Sequence, residues 1–309
     1  MGRRFPAARM NYRHAFHAGS FADVLKHAVL VRILVHLRLK PAPFRVIDTH
    51  AGAGLYDLGG PEASRGGEWR EGIGRLIRGS AEGQVSPLLA PYLAAVAALN
   101  RPGDLSTYPG SPMLARAFLR GRDRLIACEL EPGAAGALAR NLRDDTRCKA
   151  IAIDGWTALN AYMPPTERRG LVLVDPSFED EADFERLEPA LVAAHRKWGS
   201  GTYLLWYPIK DRASSDLLAH RLRRSGIPKI LRAELATAAV GERLRACGLV
   251  VVNPPWTLES ELKILLPALA ETLSQAGGGH RLDWLAGEDQ ARSARRASSG
   301  SSGQASQLD

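Results

Sequence analysis

A glycine turn placed directly behind a short apolar strand does most to limit what this chain can fold into. In Phe44-Arg-Val-Ile-Asp-Thr-His-Ala-Gly-Ala-Gly54, β-branched residues run up to Asp48 and the chain then breaks at Gly52 and Gly54. The pattern predicts a buried parallel strand, then a loop, then a helix. Glycine in such a loop lets backbone approach a ligand with no Cβ in the way. A plain βα turn uses the same glycines, but Asp48 and His50 inside the turn give it polar groups to offer a ligand.

Regular alternation returns downstream. Leu125–Glu129, Ala150–Asp154 and Leu171–Asp175 read as strands that each end in an acid, with helices over 134–142 and 184–195. Tyr203–Tyr207, Ile230–Leu235 and Leu249–Val252 bring the expected count to about seven. Strands alternating with helices predict an α/β fold with a parallel, doubly wound, Rossmann-like sheet. Ahead of the first strand, residues 20–39 predict an amphipathic helix capped by Ser20, with Val24, Leu25, Ala28, Val31, Leu34 and Val35 as its apolar stripe. Residues 55–112 carry no convincing strand and are too long for an ordinary connection, so they predict an inserted helical subdomain, with one helix over Leu88–Leu99. The main domain is expected over 11–287. Residues 1–10 are expected to form a mobile extension, and 288–309, poor in apolar residues, a disordered tail.

Composition narrows the partners. Residues 1–45 hold nine of the lysines and arginines against Asp23 alone and so carry the whole net charge of +8. A concentrated basic arm suits a polyanion, nucleic acid first. No apolar run reaches the roughly 18 residues a membrane helix needs, and residues 1–10 lack the apolar core of a secretory signal. Cys128, Cys148 and Cys247 lack the spacing of a zinc site or a disulfide framework. A cytoplasmic protein with buried free thiols, no metal and no membrane is expected.

In a doubly wound sheet the carboxyl ends of the strands line one crevice. Asp48, Glu129, Asp154 and Asp175 all fall there. A strand-end acid often does no more than cap the next helix, but four in succession beside a glycine loop suit a nucleoside-bearing cofactor. Glu129 can accept from both ribose hydroxyls and Asp154 from an adenine amine. No lysine follows the glycines as in a triphosphate loop, and the third glycine of the dinucleotide fingerprint is missing. S-adenosyl-L-methionine therefore fits better than NAD.

Asp175-Pro-Ser-Phe178 resembles the Asp-Pro-Pro-Tyr/Phe loop of adenine-N6 methyltransferases and follows the fourth strand, where they carry it. The resemblance implies that Asp175 is catalytic: its carboxylate and the Pro176 carbonyl would hold the amine hydrogens and turn the nitrogen lone pair toward the methyl group, with Phe178 stacking on the extruded base. Asn253-Pro-Pro-Trp256 matches the loop's sequence more closely, but follows the last strand.

With these pieces together the chain resembles the bacterial 23S ribosomal RNA adenine-N6 methyltransferase family known as RlmJ. The similarity runs from about residue 10 to 286 and is carried by Tyr12-Arg-His-Ala-Phe-His-Ala-Gly-Ser-Phe-Ala-Asp-Val-Leu-Lys-His27, Asp48-Thr-His-Ala-Gly-Ala-Gly54, Tyr108-Pro-Gly-Ser-Pro112, Leu204-Leu-Trp-Tyr-Pro208 and Asn253-Pro-Pro-Trp256. It implies an S-adenosylmethionine-dependent methyltransferase domain, cofactor contacts at His27, His50, Ser111, Glu129, Asp154 and Gly155, and RNA contacts at Tyr12, Pro176 and Phe178. A monomer acting on 23S ribosomal RNA is expected. One departure stands out: Ser177 occupies the family's second proline. A DNA adenine-N6 methyltransferase, a small-molecule methyltransferase, and an RNA-binding homologue whose catalysis Ser177 has weakened or abolished are the rival readings.

Overall fold

A computed structural model of the chain describes residues 14–79, 85–180, 182–238, 244–274 and 278–287. Tyr12, the extension expected at 1–10 and the tail expected at 288–309 lie outside them.

The strands are β1 (Arg45–Asp48), β2 (Leu55–Asp57), β3 (Thr107–Pro109), β4 (Arg124–Glu129), β5 (Cys148–Ala152), β6 (Gly170–Val174), β7 (Thr202–Pro208), β8 (Ile230–Ala236), β9 (Ala246–Val252) and β10 (Gly279–Ala286). Eight form one sheet in the order β10-β8-β9-β7-β6-β1-β4-β5. The five strands from β7 to β5 in that order run parallel. β9 runs against both β7 and β8, and β10 against β8. The sheet is therefore mixed, with one strand more than the expected seven. From β1 the chain goes outward to β4 and β5 and returns to β6 on the other flank. The topological switch point, where ligands bind in open α/β sheets, thus falls between β1 and β6.

Alternate residues along each strand point to opposite faces. Val46, Leu171, Leu173 and Leu204 join a core with the helices α1 (Phe21–Arg38), α6 (Ser111–Phe118), α7 (Pro132–Leu142) and α11 (Leu258–Leu273). Ile47, Val172, Val174 and Leu205 join a second core with α8 (Gly155–Ala161), α9 (Ala182–Lys197) and α10 (Arg212–Arg224). The result is three layers, helices over both faces of the sheet.

α1 begins where expected, with the Ser20 hydroxyl accepting from Asp23 N at 3.5 Å. It is not amphipathic in its setting. Asp23, Lys26 and His27 are buried along with Val29, Leu30 and Ile33, because the helix lies between the sheet, α6, α11 and α5 (Ser86–Ala97). The basic arm read from residues 1–45 shrinks accordingly. Lys26 is buried, Arg32 is held by Glu261 through two bonds of 2.8 Å, and Arg45 donates to Glu167 at 2.8 Å.

Between β1 and β4 lie three short helices, α2 (Pro61–Gly66), α3 (Glu68–Glu71) and α4 (Ile73–Arg78), followed by α5 and α6. Contrary to expectation, this stretch does contain strands: β2 and β3 pair antiparallel, Leu55 opposite Pro109 and Asp57 opposite Thr107. Three residues on each side, widely separated in sequence, leave no periodicity to read.

Candidate active site

The glycine loop after β1 is shaped by its neighbours' polar groups. Gly52 has φ 61° and donates its N–H to Glu129 Oε2 at 2.8 Å, while Glu131 N donates to Oε1 of the same carboxylate at 2.8 Å. Each oxygen of Glu129 thus already accepts one backbone bond, and its remaining lone pairs stay available to a ligand. The buried Tyr56 hydroxyl accepts from Ala53 N at 3.2 Å, so a ring from β2 props the loop from below.

At the end of β1, Ser111 Oγ donates to Asp48 Oδ2 at 2.6 Å. Asp48 Oδ1 is buried with no hydrogen-bond partner. Burial pushes the Asp48 carboxyl up to about 7, against the opposing pull of the Ser111 hydroxyl. His27 points Nδ1 at the Tyr108 hydroxyl, 2.7 Å away, and that hydroxyl lies 2.8 Å from the Tyr92 hydroxyl. The other ring nitrogen, His27 Nε2, is buried without a hydrogen bond, 3.9 Å from Asp23 Oδ1. Burial lowers the His27 ring to about 3 and the His50 ring to about 4, so both are neutral.

Across the switch point, Asp175 follows β6 directly. Its Oδ2 accepts from Lys26 Nζ at 2.5 Å, a contact that joins positions 149 residues apart in sequence. Lys26 also reaches Asp23 Oδ1 at 2.8 Å. Asp23 Oδ2 in turn accepts from Gly19 N at 2.9 Å and lies 3.1 Å from His14 Nε2. Burial opposes both charges, yet Asp175 and Asp23 hold the Lys26 ammonium well above its usual range, and Lys26 and His14 hold Asp23 well below its own. Asp175 Oδ1 and the Pro176 carbonyl are used by no hydrogen bond among the described residues. The carboxylate is fixed through one oxygen and open at the other.

Asp154 caps α8, its Oδ2 accepting from Thr157 N at 2.7 Å and Thr157 Oγ1 at 2.8 Å. The helix comes close to the glycine turn because Gly155 has no side chain. A Cβ there would collide with the His50 ring and meet the Thr49 carbonyl oxygen at 2.5 Å. His50 also packs edge-on against Trp156, 5.6 Å between centroids.

The fold thus brings His27, His50, Ser111, Glu129, Asp154, Gly155 and Asp175 to the carboxyl edge around the switch point. Tyr12 falls outside the described residues. Phe178 is placed differently from a free stacking platform: it is 6 % exposed, with φ 53°, and packs against Phe184 at 4.9 Å and Trp206 at 5.6 Å. Asn253-Pro-Pro-Trp256 lies at the opposite edge of the sheet, because β9 runs antiparallel and Val252 pairs with Tyr203 near the start of β7. Lys26, Asp23 and His14 are site residues that sequence reasoning did not single out. The signal was an Asp/Lys pair three apart inside an otherwise apolar helical run.

Among the described residues no group of three or more histidine, cysteine, aspartate or glutamate side chains could hold a metal ion. Residues 41–286 match the family described as ribosomal RNA large subunit methyltransferase D, RlmJ. The chain is 40 % identical over 282 residues to ribosomal RNA large subunit methyltransferase J of Escherichia coli, covering 90 % of this chain and 100 % of that one. It is 39 % identical over 283 residues to the protein of the same name from Haemophilus influenzae, with the same coverage. The crystal structure of a Legionella pneumophila protein superposes with a TM-score of 0.80 at 34 % identity, covering 87 % of this chain and 98 % of that one.

Proposed function

The chain belongs to the RlmJ family of ribosomal RNA large subunit methyltransferases, and we propose on that footing that Asp175 presents the N6 amine of an adenine in 23S ribosomal RNA for methylation. S-adenosyl-L-methionine is the methyl donor. The DNA and small-molecule readings are not favoured, since both curated relatives carry ribosomal RNA in their names.

The residues present fit that cofactor. Two buried polar atoms at the carboxyl edge, Asp48 Oδ1 and His27 Nε2, make no hydrogen bond in the folded chain, and such atoms are costly unless a ligand or water meets them. Asp48 would hold a cationic end, and Glu129 the ribose hydroxyls through its spare lone pairs. Asp154 Oδ1, with Gly155 beside it, would meet the adenine. When bound, the cofactor supplies an electrophilic methyl group on a positively charged sulfur.

The chain's own contribution is to aim the amine. Its lone pair is delocalised into the purine ring, so attack needs the nitrogen turned out of that conjugation. Asp175 Oδ1 and the Pro176 carbonyl are two acceptors on adjacent residues, suited to holding both N–H bonds. Lys26 holds the carboxylate in register, and Asp23 keeps Lys26 in place. Positioning of this kind lowers a barrier by several kcal/mol. Ser177 does not break the arrangement: the clamp on Asp175 comes from α1, and the Pro176 carbonyl remains. Phe178 would reach a flipped base only once its loop turns outward, a movement that serine permits more readily than proline. The reading is of a protein that acts as a monomer. No described helix is long and apolar enough to cross a membrane, and the cytoplasm, where ribosomal RNA is made, is the proposed place of action.

The observation that carries this reading is the Asp175 carboxylate, pinned by a buried lysine on one oxygen and open on the other. Asp175→Ala should cut methyl transfer by roughly a thousandfold or more while cofactor affinity, read by calorimetry, stays within a few fold. Substantial residual turnover would remove Asp175 from the chemistry.

A further inference from the structure

The two edges of the sheet differ in charge. The carboxyl edge carries Asp48, Glu129, Asp154 and Asp175. At the amino edge, Lys40 precedes β1, Arg122 precedes β4, Arg168 precedes β6 and Arg196 precedes β7. All four are exposed, and none has a carboxylate within ion-pair distance among the described residues. The acids at this edge are already engaged: Glu167 by Arg45, Asp123 by Arg120, Asp145 by Arg147 and Arg116. What faces solvent is therefore a row of cations with little to cancel it.

Trp256 sits at the same edge. Register puts Val252, Tyr203, Val172, Ile47 and Ile126 side by side across the sheet, and the chain after Val252 continues toward the amino ends of the parallel strands. Asn253 fixes the turn by donating from Nδ2 to the carbonyls of Gly199 at 2.9 Å and Gly201 at 2.8 Å. Trp256 beyond it is 83 % exposed, more than any other large apolar side chain described, and Thr257 and Ser260 beside it are polar. Leu39 and Trp284, the latter opposite Leu231 near the start of β8, are the other large apolar side chains exposed at this edge. The backbone adds an independent observation. Arg168, Lys229 and Asn253, three of the four non-glycine residues with positive φ among those described, all stand here, at φ 55°, 55° and 49°. Glycine adopts that conformation without penalty. Side chains are carried at these positions despite the backbone.

We propose that the amino edge is a second RNA-binding surface, gripping phosphates of the substrate away from the target adenine, with Trp256 stacking on an unpaired base. Separated cations with exposed aromatic rings are the chemistry of single-stranded RNA recognition, not of a packed protein interface, which would centre on an apolar patch. From the end of β9 to the start of β4 is four strand spacings, roughly 20 Å, a span that several nucleotides cover. The proposal rests on the RNA reading above. Because the target base enters at the opposite edge, only an RNA long enough to reach around the molecule can use both surfaces.

The test compares two variants, Lys40→Ala/Arg168→Ala/Arg196→Ala and Trp256→Ala, with the unaltered protein. Each is titrated with a full-length 23S RNA transcript and with a short hairpin around the target adenine, over a range of salt. The triple variant should bind the full-length RNA roughly tenfold or more weakly, with a log–log salt slope shallower by about two. Trp256→Ala should weaken it by about fivefold or more with the slope unchanged. Hairpin affinity, turnover at saturating RNA and cofactor affinity should not move in either variant. Equal affinity and slope for the full-length RNA would overturn the proposal. Unchanged RNA affinity in Trp256→Ala alone would refute the stacking contact and point to a protein partner there. Failure of the methyltransferase reading shows separately, as no methyl transfer to either RNA by the unaltered protein, while the binding comparison still decides this one.

Discussion

Asp48 and Lys26 illustrate two ways a buried charge is managed. Lys26 is satisfied inside the chain, between Asp23 and Asp175. Lys26→Met leaves two carboxylates facing each other without their cation, and breaking a buried pair of this kind costs about 3–5 kcal/mol. Turnover and the chemical denaturation midpoint should fall together, with Lys26→Arg between the two proteins in both. A variant with normal turnover would mean that Asp175 needs no clamp. Asp48 is satisfied only in part and keeps its proton up to about pH 7. Its pKa is raised above the ordinary 3.8, so the stability it contributes is full below about pH 4 and is lost as the pH climbs through 7. Cofactor affinity should run the other way, since only the ionised carboxylate attracts a cation: it should rise between pH 6 and 8 and then level. His27 and His50, at about 3 and 4, stay neutral across that window and do not blur it. Calorimetry across pH decides the point, with Asp48→Asn expected to give a weak, flat profile. A flat profile for the unaltered protein would take Asp48 out of the cofactor site.

Elements differed in how plainly they could be read. Strands ending in an acid were visible because β-branched runs stop at a carboxylate, and β4 and β6 lie within a residue of where the pattern put them. β5 ends two residues early, so Asp154 caps α8 instead of closing a strand. β10 escaped notice: Gly279-His-Arg-Leu-Asp-Trp-Leu-Ala286 pairs on one side only and is half-exposed, so little apolar periodicity marks it. The burial of α1 was equally hidden, since an apolar stripe with a few charges looks amphipathic until the far side is covered too. α8 carries a sharper test. Gly155→Ala drives a methyl group into the Thr49 carbonyl and the His50 ring, and backbone cannot yield as a flexible side chain would. Cofactor affinity should drop by roughly tenfold or more and the melting temperature by several degrees, as overpacking costs about 1–3 kcal/mol. Unchanged binding would show that α8 and the glycine turn need not touch.

At the scale of the whole molecule, one sheet separates two electrical environments, and the direction of β9, reversed like that of β10, sets which of two similar loops lies at the switch point. Asp-Pro-Ser-Phe and Asn-Pro-Pro-Trp were both candidates from residues alone. Chain order favoured the first, and strand direction gives the physical reason: β6 delivers Asp175 to the switch point, whereas β9 delivers Trp256 to the far edge. Contacts such as Lys26 with Asp175 depend on which strands lie side by side, and composition and periodicity do not carry that information. The central claim remains chemical, that this chain methylates adenine N6 in 23S ribosomal RNA. It is tested most directly by incubating the protein and labelled S-adenosylmethionine with total nucleic acid from a strain lacking it, digesting to nucleosides and mapping the label. The label should co-migrate with N6-methyladenosine and map to one adenine of 23S RNA. Label in DNA, in another RNA or on another nucleoside would contradict it.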